Sequence, residues 1–126
     1  ELPENWTYPL IQPKLIEKYL RVKNNSIIGA TVTVTVDRPL GSYHPEYKDM
    51  YYPINYGYIE GIMAPDGEEQ DAYILGVNEP VDKFTGKIIA IVHRKDDVEE
   101  KWVVVPDGMM FSKGEIRQQI YFQEQY

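Results

Sequence analysis

The chain of 126 residues contains no cysteine. A disulfide framework is thereby excluded, and so is a zinc site built on thiolates. This composition fits a reducing cytoplasm, where we expect the protein to reside. Histidine is almost as scarce, with only His44 and His93. No H-E-x-x-H pair and no G-x-S-x-G elbow occur, so covalent serine–histidine chemistry has little support. The glycines match neither a Walker phosphate loop nor a dinucleotide fingerprint. Basic residues are in deficit, 13 against 20 acids, which leaves a net charge of −7. A nucleic-acid binder needs a basic footprint, so no nucleic-acid partner is expected. An acidic chain that binds a polyanion must use metal ions or a local basic cluster. No apolar run approaches the ~18–20 residues of a membrane span, so no membrane partner is expected. The first residues, Glu1-Leu2-Pro3-Glu4-Asn5-Trp6, lack the basic start and apolar stretch of a secretory leader. The missing initiator Met suggests a processed or trimmed chain.

What is present favours one folded domain. Hydrophobic residues make up 43% of the chain, enough for a core. Residues 1–26 read as an N-terminal arm and short helix. Pro3, Pro9 and Pro13 punctuate the arm, and Leu15, Ile16, Tyr19 and Leu20 recur at helical spacing from Pro13 to Lys23. From Ile27 the period changes to two. Thr31 to Val36 alternates strictly, which predicts a half-buried strand with Val32, Val34 and Val36 toward the core. Pro39, Gly41 and Pro45 interrupt it. Further strands are expected at Tyr51–Ile62, Ala72–Gly76, Gly86–His93 and Trp102–Val105, with residues 94–101 as a charged loop. Ser112 followed by Glu115 is a capping-box pattern, which predicts a closing helix over Ser112–Tyr126. Short strands with turn signals and few helices indicate an α+β, mainly β architecture: a small closed barrel spanning residues 27–126.

Two acidic clusters stand out. The first is Asp66, Glu68, Glu69 and Asp71, and the second is Asp96, Asp97, Glu99 and Glu100. Each adjoins an apolar strand. Brought together at strand ends, such carboxylates form a hard-oxygen site suited to Mg²⁺, with Mn²⁺ as the alternative. For one cluster alone the ordinary reading is a solvated loop; two clusters beside buried strands weaken it. A calcium-binding EF-hand fails, because its required glycine would fall on Asp71 and its closing glutamate on Val77. Tyr51, Tyr52, Tyr56 and Tyr58 crowd around Pro53-Ile54-Asn55, mostly as packing, although tyrosine hydroxyls also donate to phosphate oxygens. Arg38, Lys48, Arg94, Lys95 and Lys101 lie near these loops and could hold phosphate. For Lys48 and Lys95, surface pairing is the simpler reading.

Three segments then carry a resemblance. Tyr52-Pro53-Ile54-Asn55-Tyr56-Gly57-Tyr58-Ile59, Asp66-Gly67-Glu68-Glu69-Gln70-Asp71 and Lys101-Trp102-Val103-Val104-Val105-Pro106 together resemble the soluble family I inorganic pyrophosphatases. The resemblance covers about residues 27–126. It implies a five-stranded OB-like barrel with flanking helices, Mg²⁺-dependent hydrolysis of pyrophosphate to two phosphates, and homo-oligomers. In the family motif Asp-Gly-Asp-Pro-x-Asp, Asp66 and Asp71 match the outer aspartates. Glu68 stands for the middle one and Glu69 for the proline. Tyr56 matches the phosphate-contacting tyrosine, and Lys101 the lysine after the second acidic pair. Glu99 falls at the nearer acid of that pair, while Asp96 or Asp97 fits the farther one only through a shortened loop. Asp37 resembles an early metal-proximal glutamate, and Tyr126 a late tyrosine. The implied site is therefore Asp66, Asp71, Asp97, Glu99 and Asp37 around metal, Arg38, Lys101, Tyr56 and Tyr126 on phosphate, and Glu68, Asp71 and Tyr56 at the chemistry.

Departures accompany the match. The stretch between Asp37 and Tyr52 is markedly shorter than in the family, and the basic residues that grip phosphate belong to the missing part. Arg38, His44 or Lys48 would have to substitute. In the expected chemistry, metal ions neutralise the anhydride and lower the pKa of a shared water, with Glu68 orienting or deprotonating it. Glu68 is one methylene longer than aspartate, and a displacement of ~1 Å can cost on the order of 100-fold in rate. The expectation is thus a pyrophosphatase. The rival is a catalytically weak or inactive barrel that binds metal–phosphate ligands or a protein partner. Hydrolysis of a nucleotide-type anhydride is a third reading.

Overall fold

The alternation of threonine and valine is realised as β1 (Thr31–Arg38), with Val34 fully buried and Val32 and Val36 packed against the same cluster. Four more strands follow: β2 (Asn55–Met63), β3 (Glu69–Ile74), β4 (Lys83–His93) and β5 (Glu100–Val105). They close a barrel in the order β1-β2-β3-β5-β4. All neighbours are antiparallel except β3 and β5, which run parallel with Asp71 opposite Lys101. The computed structural model describes residues 27–64, 67–93 and 100–125. The arm and the helix expected at Pro13–Lys23 lie outside the described residues. Among the described residues one helix, α1 (Lys113–Glu124), flanks the barrel, and both halves of its Ser112–Glu115 capping box are formed. No helix there is long and apolar enough to cross a membrane.

The barrel wall separates two apolar layers. Val34, Ile59, Ala72, Ile74, Ile88, Ile91, Trp102 and Val104 form one cluster. Tyr73, Leu75, Ile89, Val92, Val103 and Val105 form the other, with Ile116 and Ile120 of α1. Successive residues of β5 alternate between the layers, as the period-two geometry of a strand requires. The continuous apolar run Trp102–Val105 reflects a strand buried on both faces.

Two expectations need correction. The acidic segment is a turn only in part: Glu69, Gln70 and Asp71 are the opening residues of β3. The charged loop likewise ends early, because Glu100 and Lys101 belong to β5 and are only 4% and 6% exposed. Both segments are polar in sequence, yet their backbones complete the barrel ladder. The Gln70 side chain fastens them together, its Nε2 donating to the Glu100 carbonyl at 2.8 Å.

Candidate functional site

The site grows from the pairing rows of the outer barrel face. Arg38 pairs with Tyr56, and Tyr56 with Tyr73; Tyr58 pairs with Asp71, and Asp71 with Lys101. Partners across a ladder share a face, so Tyr56, Arg38, Asp71 and Lys101 emerge on one side. Regular alternation would turn Asp37 away from this face. A β-bulge prevents that: the register shifts between Val36 and Arg38, leaving Asp37 as the extra residue. Bulges bend a strand and re-aim side chains. Here the bulge lets the consecutive Asp37 and Arg38 line the same cavity.

Gly57 permits the close approach that this requires. A Cβ on it would stand 2.0 Å from the carbonyl oxygen of Thr35. Its neighbour Asn55 is fully buried and ties three segments. Its Oδ1 accepts from the Leu40 amide at 2.9 Å and the Val81 amide at 3.3 Å, while its Nδ2 donates to the Glu79 carbonyl at 2.9 Å. The Asn-Tyr-Gly segment is therefore a clasp and a close-approach point around a tyrosine that faces the cavity.

That cavity has a volume of about 560 Å³. Asp37, Arg38, Tyr56, Asp71 and Lys101 line it, joined by Tyr52, by His44, Tyr47 and Met50 of the loop after β1, and by Gln123 at the end of α1. Tilted aromatic rings back it: the ring centroids of Tyr52 and Tyr56 are 6.0 Å apart, and those of Tyr56 and Tyr73 5.0 Å. Among the described residues its wall carries two carboxylates, one guanidinium and one ammonium. Like charges on one wall repel, and a bound cation would relieve the pair Asp37 and Asp71.

Beneath the cavity runs a hydrogen-bonded chain. Tyr52 Oη donates to Gln123 Oε1 at 2.9 Å, and Gln123 Nε2 donates to Tyr73 Oη at 2.9 Å. Tyr73 Oη in turn donates to Glu124 Oε2. The Lys101 ammonium meets the same oxygen at 2.9 Å, with both side chains almost fully buried. Burial and the Glu124 carboxylate push the Tyr73 phenol well above its ordinary pKa of 10.0, so it remains a neutral donor. Burial also raises Tyr52, against the opposing pull of Arg38. A carboxylate at a helix C-terminus opposes the helix dipole. The ammonium of Lys101 compensates for that placement.

Of the residues expected in the site, the structure brings Asp37, Arg38, Tyr56, Asp71 and Lys101 together. Glu68 occupies the exposed segment before β3 and does not line the cavity. Lys48 does not line it either. Asp66, Asp97, Glu99 and Tyr126, like Asp96, Arg94 and Lys95, lie outside the described residues. Among the described residues no group of three or more His, Asp or Glu side chains is poised to hold a metal ion. Asp37 and Asp71 supply hard oxygen donors of the kind Mg²⁺ takes, and among the described residues they are the carboxylates that line the cavity. Sequence reasoning missed Tyr73, Gln123 and Glu124. A signal existed for Glu124, because Ile116, Ile120 and Glu124 recur every fourth residue and are the buried face of α1.

Comparison with known proteins identifies the family. The family model for inorganic pyrophosphatase matches residues 21–113. An inorganic pyrophosphatase of Halalkalibacterium halodurans is 28% identical over 103 residues. That match covers 76% of this chain but 61% of the relative, so the chain spans about three fifths of the curated relative's length. Among solved structures, an inorganic pyrophosphatase from Neisseria gonorrhoeae superposes with a TM-score of 0.58 at 19% identity, covering 75% of this chain and 72% of that one. One from Ehrlichia chaffeensis gives a TM-score of 0.55 at 19% identity, covering 75% and 80%. At such identities the likeness is one of fold. The family model spans most of the chain, including the Asn55-Tyr56-Gly57 and Lys101 segments that build the cavity, and the chain belongs to the inorganic pyrophosphatase family.

Proposed function

We propose that the protein hydrolyses a phosphoanhydride, with inorganic pyrophosphate as substrate and Mg²⁺ as the metal. The observation that carries this reading is the meeting of Asp37, Asp71, Arg38, Lys101 and Tyr56, from four different strands, in one cavity of about 560 Å³. That volume lies within the ~300–1,000 Å³ usual for small-molecule sites. Asp71 and Asp37 would hold metal, and the resemblance adds Asp66, Asp97 and Glu99. A bound divalent ion supplies charge neutralisation and an acidified water.

The chain's own groups do the remaining work. Arg38 and Lys101 offset phosphate charge, Arg38 through a planar fork and Lys101 as a point charge. Tyr56 Oη donates to a phosphate oxygen, as Tyr126 does in the resemblance. The Glu124–Tyr73–Gln123 chain holds Lys101 and Tyr52 in place, so little ordering remains when substrate arrives. In the resemblance, Glu68 orients the attacking water.

The test is phosphate release from pyrophosphate with Mg²⁺ or Mn²⁺, alongside Asp71→Asn. The expectation is turnover that falls at least ~100-fold in the variant. Absence of release at every metal concentration would sink the enzymatic reading, and release that survives the substitution would sink the assignment of Asp71. One observation favours the rival, a barrel that binds metal–phosphate without efficient turnover: Glu68 is outside the cavity lining. That rival predicts pyrophosphate binding by calorimetry with no release. As the resemblance implies, we also propose a cytoplasmic protein and a homo-oligomer; light scattering at micromolar concentration tests the oligomer.

A further inference from the structure

The loop that replaces the missing basic stretch is short and firmly tied. Tyr43 bridges to Tyr51. The Gly41 amide donates to the Tyr52 carbonyl at 2.8 Å, the Tyr52 amide to the Ser42 carbonyl at 2.9 Å, and the His44 amide to the Met50 carbonyl at 3.0 Å. His44 therefore sits just inside a small hairpin hinged on the cavity wall, and it lines the cavity where Lys48 does not.

Its imidazole is oriented by the backbone. Nδ1 accepts from the Glu46 amide at 3.0 Å and from the Tyr47 amide at 3.1 Å. Backbone amides only donate, so Nδ1 is the accepting nitrogen and the ring N–H is the one at Nε2. The Tyr47 ring lies against the imidazole, centroids 4.8 Å apart, and restricts its rotation. With Nδ1 turned into its own loop, the edge left for the cavity carries Nε2–H. Among the described residues, Arg38, Lys101 and Tyr56 also bring donor groups to the lining.

We propose that His44 is a phosphate-binding residue of this site, donating Nε2–H to an oxygen of the anhydride from the shortened loop. The proposal rests on the reading of the cavity as a phosphoanhydride site. A donor fixed this way contributes direction to a wall that Asp37, Asp71, Arg38 and Lys101 share. Glu46 and Tyr47 hold the imidazole through their amides, and the Tyr47 ring packs against it.

The two nitrogens can be separated by substitution. In His44→Asn the amide oxygen can replace Nδ1 as the acceptor of the loop amides, but nothing replaces Nε2–H. In His44→Gln the side-chain N–H reaches toward the Nε2 position while the loop acceptor is lost. Binding of inorganic phosphate in Mg²⁺ by calorimetry, and KM and kcat for pyrophosphate, are measured for the wild type and both variants. The expected result is an affinity loss of about 10- to 100-fold in His44→Asn, the usual cost of a hydrogen bond to a charged group, with a smaller loss in His44→Gln. Wild-type affinity in His44→Asn would overturn the proposal and leave His44 as a loop clasp. A measurement independent of variant folding uses imidazole ¹⁵N resonances, of which only His44 and His93 contribute. Saturating phosphate should shift the Nε2 resonance of His44, and an unmoved Nε2 would overturn the proposal. Wild type that binds neither phosphate nor pyrophosphate overturns the site reading as well; wild-type binding with an indifferent His44→Asn overturns the histidine alone.

Discussion

Replacing Glu124 by Gln isolates the energetic role of the pair beneath the cavity. Lys101 Nζ and Glu124 Oε2 are 2.9 Å apart, and their side chains are 8% and 0% exposed. Such a pair is screened little by water or salt. Glu124→Gln keeps the shape and leaves an oxygen for the Tyr73 hydroxyl, but it sets a neutral amide where a buried carboxylate faced the Lys101 ammonium. Breaking a buried pair from one side costs about 3–5 kcal/mol. Domains of this size are stable by only ~5–15 kcal/mol. At ~3–6 °C per kcal/mol for a chain of intermediate length, the melting temperature should fall on the order of 9–30 °C. Urea denaturation followed by tryptophan fluorescence, with Trp102 inside the barrel, should show a lower midpoint at unchanged slope. The double variant Lys101→Met/Glu124→Leu removes both charges and should recover most of the loss, because an apolar replacement of a buried pair is often neutral or better. A cost below ~1 kcal/mol for Glu124→Gln is the range of exposed pairs and would refute the reasoning.

Other outcomes follow from the same geometry. Asn55→Ala removes three hydrogen bonds that join Leu40, Glu79 and Val81; at ~1 kcal/mol each, it should cost about 3 kcal/mol by denaturant titration. Gly57→Ala would drive a methyl group to 2.0 Å from the Thr35 carbonyl; overpacking of this kind costs ~1–3 kcal/mol or more, read as a lower melting temperature. Alkaline pH should unfold the protein in a definite window. Tyr73 and Tyr52 have raised pKa values in the folded state, so their contribution is complete below the ordinary phenol pKa of 10.0 and is lost as pH climbs above it. Tyrosinate absorbance should therefore show a fraction of the phenols ionising only together with loss of tertiary circular dichroism.

Local periodicity made most of the barrel legible. Thr31–Val36 alternates because only one face is deeply buried, and Trp102–Val105 is uniformly apolar because both are. The Ser112–Glu115 box marked the start of α1 because capping is chemistry between near neighbours. What escaped prediction depends on distant partners. Glu100 and Lys101 look like loop residues until β3 and β4 flank them and Glu124 arrives from α1. Glu69, Gln70 and Asp71 look like a turn until their amides find β2 and β5. The lining of the cavity was legible where residue type and a family motif coincided, as at Tyr56, Asp71 and Lys101. The bulge that turns Asp37 toward Arg38 has no mark of its own in sequence, and the facing of His44 depends on a hairpin whose closure is tertiary.

The barrel closes where β1 meets β4, with Thr31 opposite Lys87. More than half of the described chain lies within that loop, so closing it demands a large loss of chain entropy before any contact rewards it. Folds dominated by such distant pairings form in milliseconds to seconds rather than microseconds. The cavity draws walls from β1, β2, β3, β5 and α1, so no partly assembled chain offers it. An anion that binds there selects the fully closed molecule and stabilises it by mass action, about 2.7 kcal/mol at a hundred times its Kd. Phosphate should therefore slow unfolding of the whole barrel and not merely of the loop beside it.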